Sequence, residues 1–288
     1  MADNQISNMP GGGLILAVDG PSGTGKSTMC RALAKQLDAK YVDTGAMYRV
    51  ATLAVLRAGV DPADTDAVIE ATTNLPLEVS DDPDSTAVLF AGEDVSGEIR
   101  GPEVTKHVSA VSAIPEVRVN LVELQRKLAR EAGRAIVEGR DIGTVVLPDA
   151  PAKVYMTASA EVRAKRRYDQ DVAAGREADF DAVLADVKRR DDADSSRKTS
   201  PLRPADDAEV VDTSEMAPDA VLAALIVGSL LAGVFGLLDF TGFQLQLATP
   251  EWTTPRAGTA PRLQITAWTT PYNAALAAVR VRFTSSPA

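Results

Sequence analysis

The sequence predicts an α/β fold in which a parallel sheet lies between two layers of helices. Short apolar runs alternate with segments of helical spacing, as they do where crossover helices join parallel strands. A glycine-rich loop directly follows the first apolar run, and charged residues follow several of the later ones. Ligands of such sheets bind beyond the carboxyl ends of the strands. The same pattern therefore predicts both the fold class and the position of a ligand crevice.

Composition limits the partners and the location of the chain. Its 288 residues, of which 45% are hydrophobic and 24% charged, are enough to bury a sizeable core. The formal net charge of −10 argues against broad nucleic-acid binding, which needs a surplus of Lys and Arg. Cys30 has no second cysteine to pair with, and residues 1–13 lack the charged and apolar order of a signal peptide. We expect a cytoplasmic protein, no nucleic-acid partner and a flexible N-terminus over residues 1–13.

The first predicted strand, residues 14–18, leads into a loop that fits the phosphate-binding pattern G-x-x-x-x-G-K-[ST] at every fixed position. Backbone N–H groups of such a loop surround a β-phosphate, and the helix predicted from Lys26 to Leu37 would present its N-terminus to the anion. Lys26 would reach the β- and γ-phosphates, while the Ser27 hydroxyl would hold Mg²⁺. The predicted nucleoside triphosphate site comprises Gly20, Pro21, Ser22, Gly23, Thr24, Gly25, Lys26, Ser27 and Thr28.

Three later runs predict further strands of the same sheet, at residues 40–42, 134–138 and 152–156. Carboxyl ends of parallel strands meet at one edge of a sheet. The charged residues expected to converge on this crevice are Asp19, Asp43, Arg140 and Asp141.

An inserted segment separates the second strand from the third. The alternating runs 77–79 and 87–90, with turn residues between and after them, predict a small hairpin. Residues 116–132 return to helical spacing. The stretch 161–203 interleaves many arginines with acidic residues.

Arginines near strand ends are candidates for phosphate binding, because phosphoryl transfer needs positioning and positive charge around the moving group. A guanidinium also fits phosphate oxygens bidentately. We interpret Arg163 and Arg189 as solvated side chains of a charged helix, which is the commoner role of such residues. The arginines predicted to border the crevice are Arg49, Arg118, Arg140, Arg190 and Arg197.

Together, five motifs make the chain resemble the bacterial cytidylate kinases, which are P-loop nucleoside monophosphate kinases. The resemblance covers about residues 14–227. The motifs are Gly20–Thr28, Asp43–Arg49, Gly92–Arg100, Glu138–Val146 and Arg189–Asp194.

The resemblance implies a P-loop kinase fold, α/β/α in three layers, that transfers the γ-phosphoryl of ATP to CMP or dCMP with Mg²⁺. A nucleoside-monophosphate-binding insert with a small antiparallel sheet would span about 44–110, and a short lid would span about 160–180. Closure of the lid would exclude water from the reaction. We expect a monomer that acts in pyrimidine nucleotide metabolism.

The resemblance also implies roles for individual residues. The catalytic set would be Lys26, Arg140, Arg166 and Arg190. Asp141 and Arg118 would complement the N4 donor and the N3 and O2 acceptors of cytosine, whereas uracil would meet the carboxylate with the wrong polarity. Substrate-binding residues would be Thr44, Arg49, Ser109, Arg118, Arg140, Asp141, Asp194 and Arg197.

The C-terminal part departs from the family. Residues 221–238 carry no charge before Asp239 and are near the minimum length for a membrane span, but no Lys or Arg lies close to either end. We interpret residues 228–288 as an atypical extension, in which an apolar helix leads into a poorly ordered tail.

Two other functions stay open. One is a P-loop kinase for another monophosphate or a small hydroxyl acceptor. The other is a nucleotide-dependent, membrane-tethered binding protein, although the Asn-Lys-x-Asp motif of GTPase switches is absent from the sequence.

Overall fold

The computed structural model describes residues 14–197, 199–222, 225, 244–247, 261–269 and 276–285. The chain divides into two compact units, Met1–Leu222 and Ala223–Ala288. The first unit contains, in chain order, β1 (Ile15–Asp19), α1 (Lys26–Gln36), β2 (Lys40–Asp43), α2 (Thr44–Arg57), α3 (Thr65–Thr72), β3 (Leu77–Val79), β4 (Val88–Phe90), β5 (Glu93–Asp94), α4 (Pro102–Val111), α5 (Pro115–Ala132), β6 (Ala135–Glu138), β7 (Ala152–Thr157), α6 (Ala160–Ala173), α7 (Phe180–Ser195) and β8 (Glu209–Asp212).

A five-stranded sheet in the order β2-β6-β1-β7-β8 forms the centre of the first unit. All of its strand pairs are parallel. In the register, Glu138 lies opposite both Val18 and Asp43, so the ends of β1, β2 and β6 are level. The predicted parallel α/β fold is confirmed. Strand β8 was not predicted, because a run as short as Glu-Val-Val-Asp carries little periodicity.

The insert contains a second sheet, in which β3, β4 and β5 are antiparallel. Leu77 lies opposite Phe90, as a hairpin of the two predicted runs requires. The third strand occupies residues predicted as a turn. Val88 and Val95 of this region pack with Val50 and Leu53 of α2 in one buried cluster, so the small sheet rests on α2.

The second unit contains β9 (Gln244–Leu247), β10 (Pro261–Thr269) and β11 (Leu276–Ser285), which form an antiparallel sheet. These strands lie in the extension, for which the sequence indicates an apolar helix and a poorly ordered tail and does not predict a sheet. The missed signal is a period of two in β11, where Val279, Val281 and Phe283 alternate with arginines. Residues 1–13 and most of the apolar run 221–238 lie outside the described residues. Within the part of the chain that is described, no helix is long and apolar enough to cross a membrane.

Candidate active site

The loop after β1 adopts a conformation that requires its glycines. Gly20 has φ +142°, and a Cβ there would collide with the carbonyl oxygen of Met156 on β7. Gly23 has φ +83°, and its Cβ would come within 3.1 Å of the Arg163 Cβ. Helix α1 begins at Lys26, directly after the loop. The backbone therefore forms the predicted phosphate-binding turn against β7 and α6.

Lys26 lies inside this turn. Its Nζ donates a hydrogen bond to the Pro21 carbonyl oxygen at 2.7 Å, and only 5% of the residue is exposed. Burial and, secondly, the positive charge of Arg140 lower the pKa of Lys26 to about 7. The charges of Glu138 and Asp19 raise the pKa in part, and a bound phosphate would favour the charged ammonium further.

Ser27, the predicted metal ligand, lies against Glu138 at the end of β6. The Ser27 hydroxyl donates to Glu138 Oε1 at 2.8 Å. The other carboxylate oxygen of Glu138 is buried and has no hydrogen-bond partner among the described residues. Burial raises the pKa of Glu138, and the negative charge of Asp43 raises it as well. A hydroxyl beside an underpaired carboxylate fits Mg²⁺, which prefers oxygen ligands and is usually held by one or two carboxylates together with substrate phosphates.

A cleft of about 1390 Å³ opens over the loop. Its lining includes Asp43, Glu138 and Arg167. Predicted site residues in the lining are Ser22, Gly23, Thr24, Gly25, Lys26, Ser27, Thr28, Arg49, Arg140 and Arg166. The other predicted site residues, which are not part of this lining, are Gly20, Pro21, Thr44, Ser109, Arg118, Asp141, Arg190, Asp194 and Arg197.

Asp194 on α7 brings several predicted substrate residues together. It accepts hydrogen bonds from Arg140 Nε at 3.2 Å and from Ser109 Oγ at 3.4 Å. Arg197 forms an ion pair with the Oδ1 of Asp194, the oxygen that Ser109 also contacts. Asp194 therefore connects α4, α7 and the end of β6.

Arg118 and Asp141 form a buried ion pair, with each side chain 5% exposed. Arg118 Nη1 also donates to the Ser112 carbonyl oxygen at 3.2 Å. Burial raises the pKa of Asp141, and the charge of Arg118 opposes that effect. Arg118 and Asp141, two of the predicted cytosine-reading residues, are thus in direct contact with each other, outside the lining of the cleft.

Positive charge is concentrated at three arginines, namely Arg49, Arg140 and Arg190. Arg49 donates to the Ile99 carbonyl oxygen at 2.9 Å and to Thr105 Oγ1 at 3.0 Å. Burial lowers the pKa of Arg49 to about 10, and the charge of Arg190 is the next cause. The pKa of Arg190 is itself lowered by burial and then by Arg140. Its buried Nε has no hydrogen-bond partner in the described part of the chain. Such a cluster of guanidinium groups favours the binding of an anion.

Sequence comparison decides the family to which this site belongs. A sequence model described as cytidylate kinase matches residues 16–228. The chain belongs to the cytidylate kinase family. It is similar to the cytidylate kinases of Corynebacterium efficiens and Corynebacterium glutamicum, with 72% and 71% identity over 218 residues. In both cases the match covers 76% of this chain and 95% of the relative. Among solved structures, shikimate kinase from Bacteroides thetaiotaomicron is 10% identical with a TM-score of 0.37, over 74% of this chain and 95% of that chain, which is too weak to carry an argument.

Membership in the cytidylate kinase family confirms the resemblance stated above, including the class of enzyme. The match ends close to the start of the second unit. The extension therefore lies outside the part of the chain that the family accounts for.

The position of Arg163 differs from the one expected from the sequence. It was taken as a solvated side chain, but it is only 4% exposed. Its Nη1 donates to the Ser22 carbonyl oxygen at 3.1 Å, and its guanidinium pairs with Asp191 on α7. Arg163 thus ties the phosphate-binding loop to α7. Arg189, by contrast, is exposed and pairs with its helix neighbour Asp186, as expected of a surface residue.

Arg166 also contacts the loop. It donates to the Thr24 carbonyl oxygen at 3.2 Å and to the carbonyl oxygen of Thr213 at 2.7 Å. In this arrangement its guanidinium is engaged with backbone next to the cleft.

Asp19, like Asp141, does not line the cleft on which the four charged strand ends were expected to converge. Its carboxylate accepts hydrogen bonds from the backbone N–H groups of Ile142 and Gly143, at 2.7 and 2.8 Å. Burial raises the pKa of Asp19 to about 6. Asp19 therefore anchors the turn after β6, whereas Asp43 and Arg140 do line the cleft.

Glu138 and Arg163 are the functional candidates that sequence reasoning missed. Glu138 directly precedes Gly139-Arg140-Asp141 at a strand end, and that position was the available signal. Thr44 Oγ1 donates to the Glu138 carbonyl oxygen at 2.7 Å, so the start of α2 is fixed to the same point.

Proposed function

We propose that the chain transfers the γ-phosphoryl group of ATP to CMP and dCMP, forming ADP with CDP or dCDP, in pyrimidine nucleotide metabolism. The observation that carries this proposal is the cluster of Arg49, Arg140 and Arg190 beside a P-loop, in which burial and the charge of neighbouring arginines lower the pKa of Arg49 and of Arg190. The names of the relatives, which are cytidylate kinases, support CMP as the acceptor.

The donor site is the loop Gly20–Thr28. Its backbone N–H groups and Lys26 would hold the β- and γ-phosphates, and Arg163 keeps the loop in position through Ser22. Ser27 and Glu138 would hold Mg²⁺. Bound there, the metal would neutralise phosphate charge and orient the triphosphate.

The acceptor site is formed by the arginine cluster and the residues around Asp194. Arg49, Arg140 and Arg190 would bind the phosphate of CMP with charge-assisted hydrogen bonds. Asp141 would accept from the cytosine N4 amino group, and Arg118 would donate to N3 and O2. Ser109 would also read the cytosine, Asp194 and Arg197 would lie near the ribose, and Thr44 would bind substrate at the start of α2.

Phosphoryl transfer requires little from the protein beyond this positioning. An oxygen of the CMP phosphate attacks the γ-phosphorus in line, and the bond to the β,γ-bridging oxygen breaks as ADP leaves. The arginines and Lys26 stabilise the charge that spreads over the transferred group. Arg166 would approach that group when the lid, about 160–180, closes and excludes water.

We further propose that residues 14–227 form the catalytic domain, with the insert at about 44–110, and that the enzyme acts as a cytoplasmic monomer without nucleic-acid partners. Its net charge of −10 supports the last point.

A coupled assay of ADP release tests the acceptor. The full chain should turn over CMP and dCMP in preference to UMP and AMP. A chain that ends at residue 227 should show the same preference. A preference for AMP would contradict the proposal.

A further inference from the structure

Thr213, the residue directly after β8, lies against the phosphate-binding loop but has no part in the phosphoryl transfer described above. Its backbone N–H donates to the Thr157 carbonyl oxygen at 2.8 Å, which continues the parallel pairing of β8 with β7. The residue is 1% exposed and belongs to the lining of the cleft. Thr213 is therefore fixed by the central sheet at the wall of the donor site.

The Thr213 hydroxyl forms a triangle of contacts with the Thr24 carbonyl oxygen and the Arg166 guanidinium. Thr213 Oγ1 and Arg166 Nη1 each lie 3.2 Å from the Thr24 carbonyl oxygen, and they lie 3.2 Å from each other. The hydroxyl can thus accept from Arg166 while it donates to Thr24; the Thr157 carbonyl oxygen, at 3.1 Å, is the alternative acceptor for its proton. Arg166 Nη2 also donates to the Thr213 carbonyl oxygen at 2.7 Å. Thr213 and Arg166 therefore hold one carbonyl group of the loop together.

The direction of the Thr24 carbonyl sets the direction of the next N–H group in the loop. The peptide between Thr24 and Gly25 is trans, and the C=O and N–H of a planar trans peptide point in opposite directions. Because the carbonyl faces Thr213 and Arg166, the Gly25 N–H faces away from them. Backbone N–H groups of such a loop are the donors that surround a phosphate. The triangle thus orients one of these donors.

The same contacts lead to Lys26 through the Pro21 carbonyl oxygen. Thr24 Oγ1 donates to this oxygen at 3.3 Å, and Lys26 Nζ donates to it at 2.7 Å. Thr24 is 2% exposed, and it is held at its carbonyl by Thr213 and at its hydroxyl by Pro21. Thr213 is therefore connected by hydrogen bonds to both cations proposed to contact the phosphates of ATP, Arg166 and Lys26.

We propose that Thr213 is a positioning residue of the donor site: its hydroxyl holds the Thr24 carbonyl and the Arg166 guanidinium together, so that loop and arginine present a fixed set of donors to the triphosphate. This inference rests on the proposed function. Without the hydroxyl, the Thr24–Gly25 peptide and Arg166 can turn independently, and ATP must order them when it binds. The affinity for ATP should then fall, whereas the affinity for CMP should not.

The first test is the affinity of the full-length protein for ATP with Mg²⁺ and without CMP, measured by calorimetry. Thr213→Val keeps the size of the side chain and removes the hydroxyl, so it should weaken ATP binding about fivefold, the usual effect of one hydrogen bond. Thr213→Ser keeps the hydroxyl and should bind ATP as the wild type does. Thr72→Val is the matched control, because that buried hydroxyl donates to carbonyl oxygens of its own helix α3.

A double-mutant comparison separates positioning from a structural role. Arg166→Met removes the guanidinium and should lower kcat for CMP phosphorylation. If Thr213 acts through Arg166, Thr213→Val should lower kcat about threefold in the wild-type chain and much less in the Arg166→Met chain. A general loss of stability would lower kcat in both chains alike and would also weaken CMP binding, which should keep its wild-type dissociation constant.

Wild-type affinity for ATP in Thr213→Val would overturn the inference, and so would a loss of kcat that is additive with that of Arg166→Met. Thr213→Ala provides the same comparisons if Thr213→Val does not fold. Failure of the proposed function is distinct, because it would appear in the wild-type chain as no preference for CMP, whereas the affinity for ATP is measured without any acceptor.

Discussion

Replacement of Glu138 with Gln tests the proposed metal site sharply, because it removes a charge and keeps the shape of the side chain. The Ser27 hydroxyl donates to Glu138 Oε1 at 2.8 Å, and Gln retains that acceptor. Burial raises the pKa of Glu138. A carboxyl with a raised pKa stabilises the fold below its unfolded-state pKa and loses that contribution as the pH rises through the folded-state value. At neutral pH the ionised carboxylate is therefore costly unless a cation accompanies it.

Without ligands, we expect Glu138→Gln to raise the free energy of unfolding at neutral pH by about 1–3 kcal/mol, because the neutral amide removes the cost of burying a charged carboxylate. Each kcal/mol corresponds to roughly 2–4 °C in melting temperature for a protein of this size. With Mg²⁺ and ATP the order should reverse, since only the wild-type carboxylate gains a cation. Loss of a carboxylate beside a metal typically lowers its affinity 10- to 100-fold, so half-maximal activity should require about that much more Mg²⁺.

Thermal unfolding with and without Mg²⁺ and ATP, and CMP phosphorylation titrated with MgCl₂, provide the two measurements. Glu131→Gln is the matched control, because that side chain on α5 is 63% exposed. An unchanged Mg²⁺ requirement in Glu138→Gln would refute the assignment, whatever happens to stability.

Three other predictions concern residues around the cleft. Asp141→Ala should reduce the preference for CMP over UMP in kcat/KM while the KM for ATP stays the same; loss of the buried partner of Arg118 should also destabilise the protein by about 3–5 kcal/mol in urea unfolding. Arg163→Met should raise the KM for ATP about tenfold with little effect on the KM for CMP, because a charge-assisted hydrogen bond to the P-loop is worth roughly 1.5–3 kcal/mol; equal effects on both substrates would contradict that role. The pKa of Asp19 is raised to about 6, so its contribution to stability is present below the ordinary carboxyl pKa of 3.8 and is lost as the pH rises through about 6. In urea unfolding between pH 4 and pH 7, the free energy of unfolding should therefore decline less in Asp19→Asn than in the wild type. An equal decline would assign the pH dependence to other groups.

Features that depend on neighbouring residues could be predicted from the sequence. The strand, loop and helix around Gly20–Thr28 lie in one short segment, and their apolar run, glycines and helix start are all visible locally. The strand at Ala135–Glu138 was likewise predicted, because its apolar run ends abruptly in Gly-Arg-Asp. The hairpin of β3 and β4 followed from two alternating runs separated by turn residues.

Features that depend on tertiary contacts could not be predicted from the sequence. Arg163 contacts Ser22 across 141 positions of sequence, and on its own charged helix it looks like any surface arginine. Ser27 and Glu138 are 111 positions apart, so their pairing required the strand order. Asp19 was expected in the cleft because strand ends converge, yet the backbone N–H groups of the turn after β6 take its carboxylate.

Helix α7 carries Asp191 and Asp194 three residues apart, and each holds a different half of the site. Asp191 pairs with Arg163 behind the donor loop, whereas Asp194 gathers Arg140, Arg197 and Ser109 on the acceptor side. A rigid shift of this one helix would alter both halves at once. ATP and CMP, bound as proposed, are then energetically coupled, and linkage requires each to change the affinity of the other by the same factor. Cooperativity between donor and acceptor is therefore a property to measure in binding experiments that involve no catalysis.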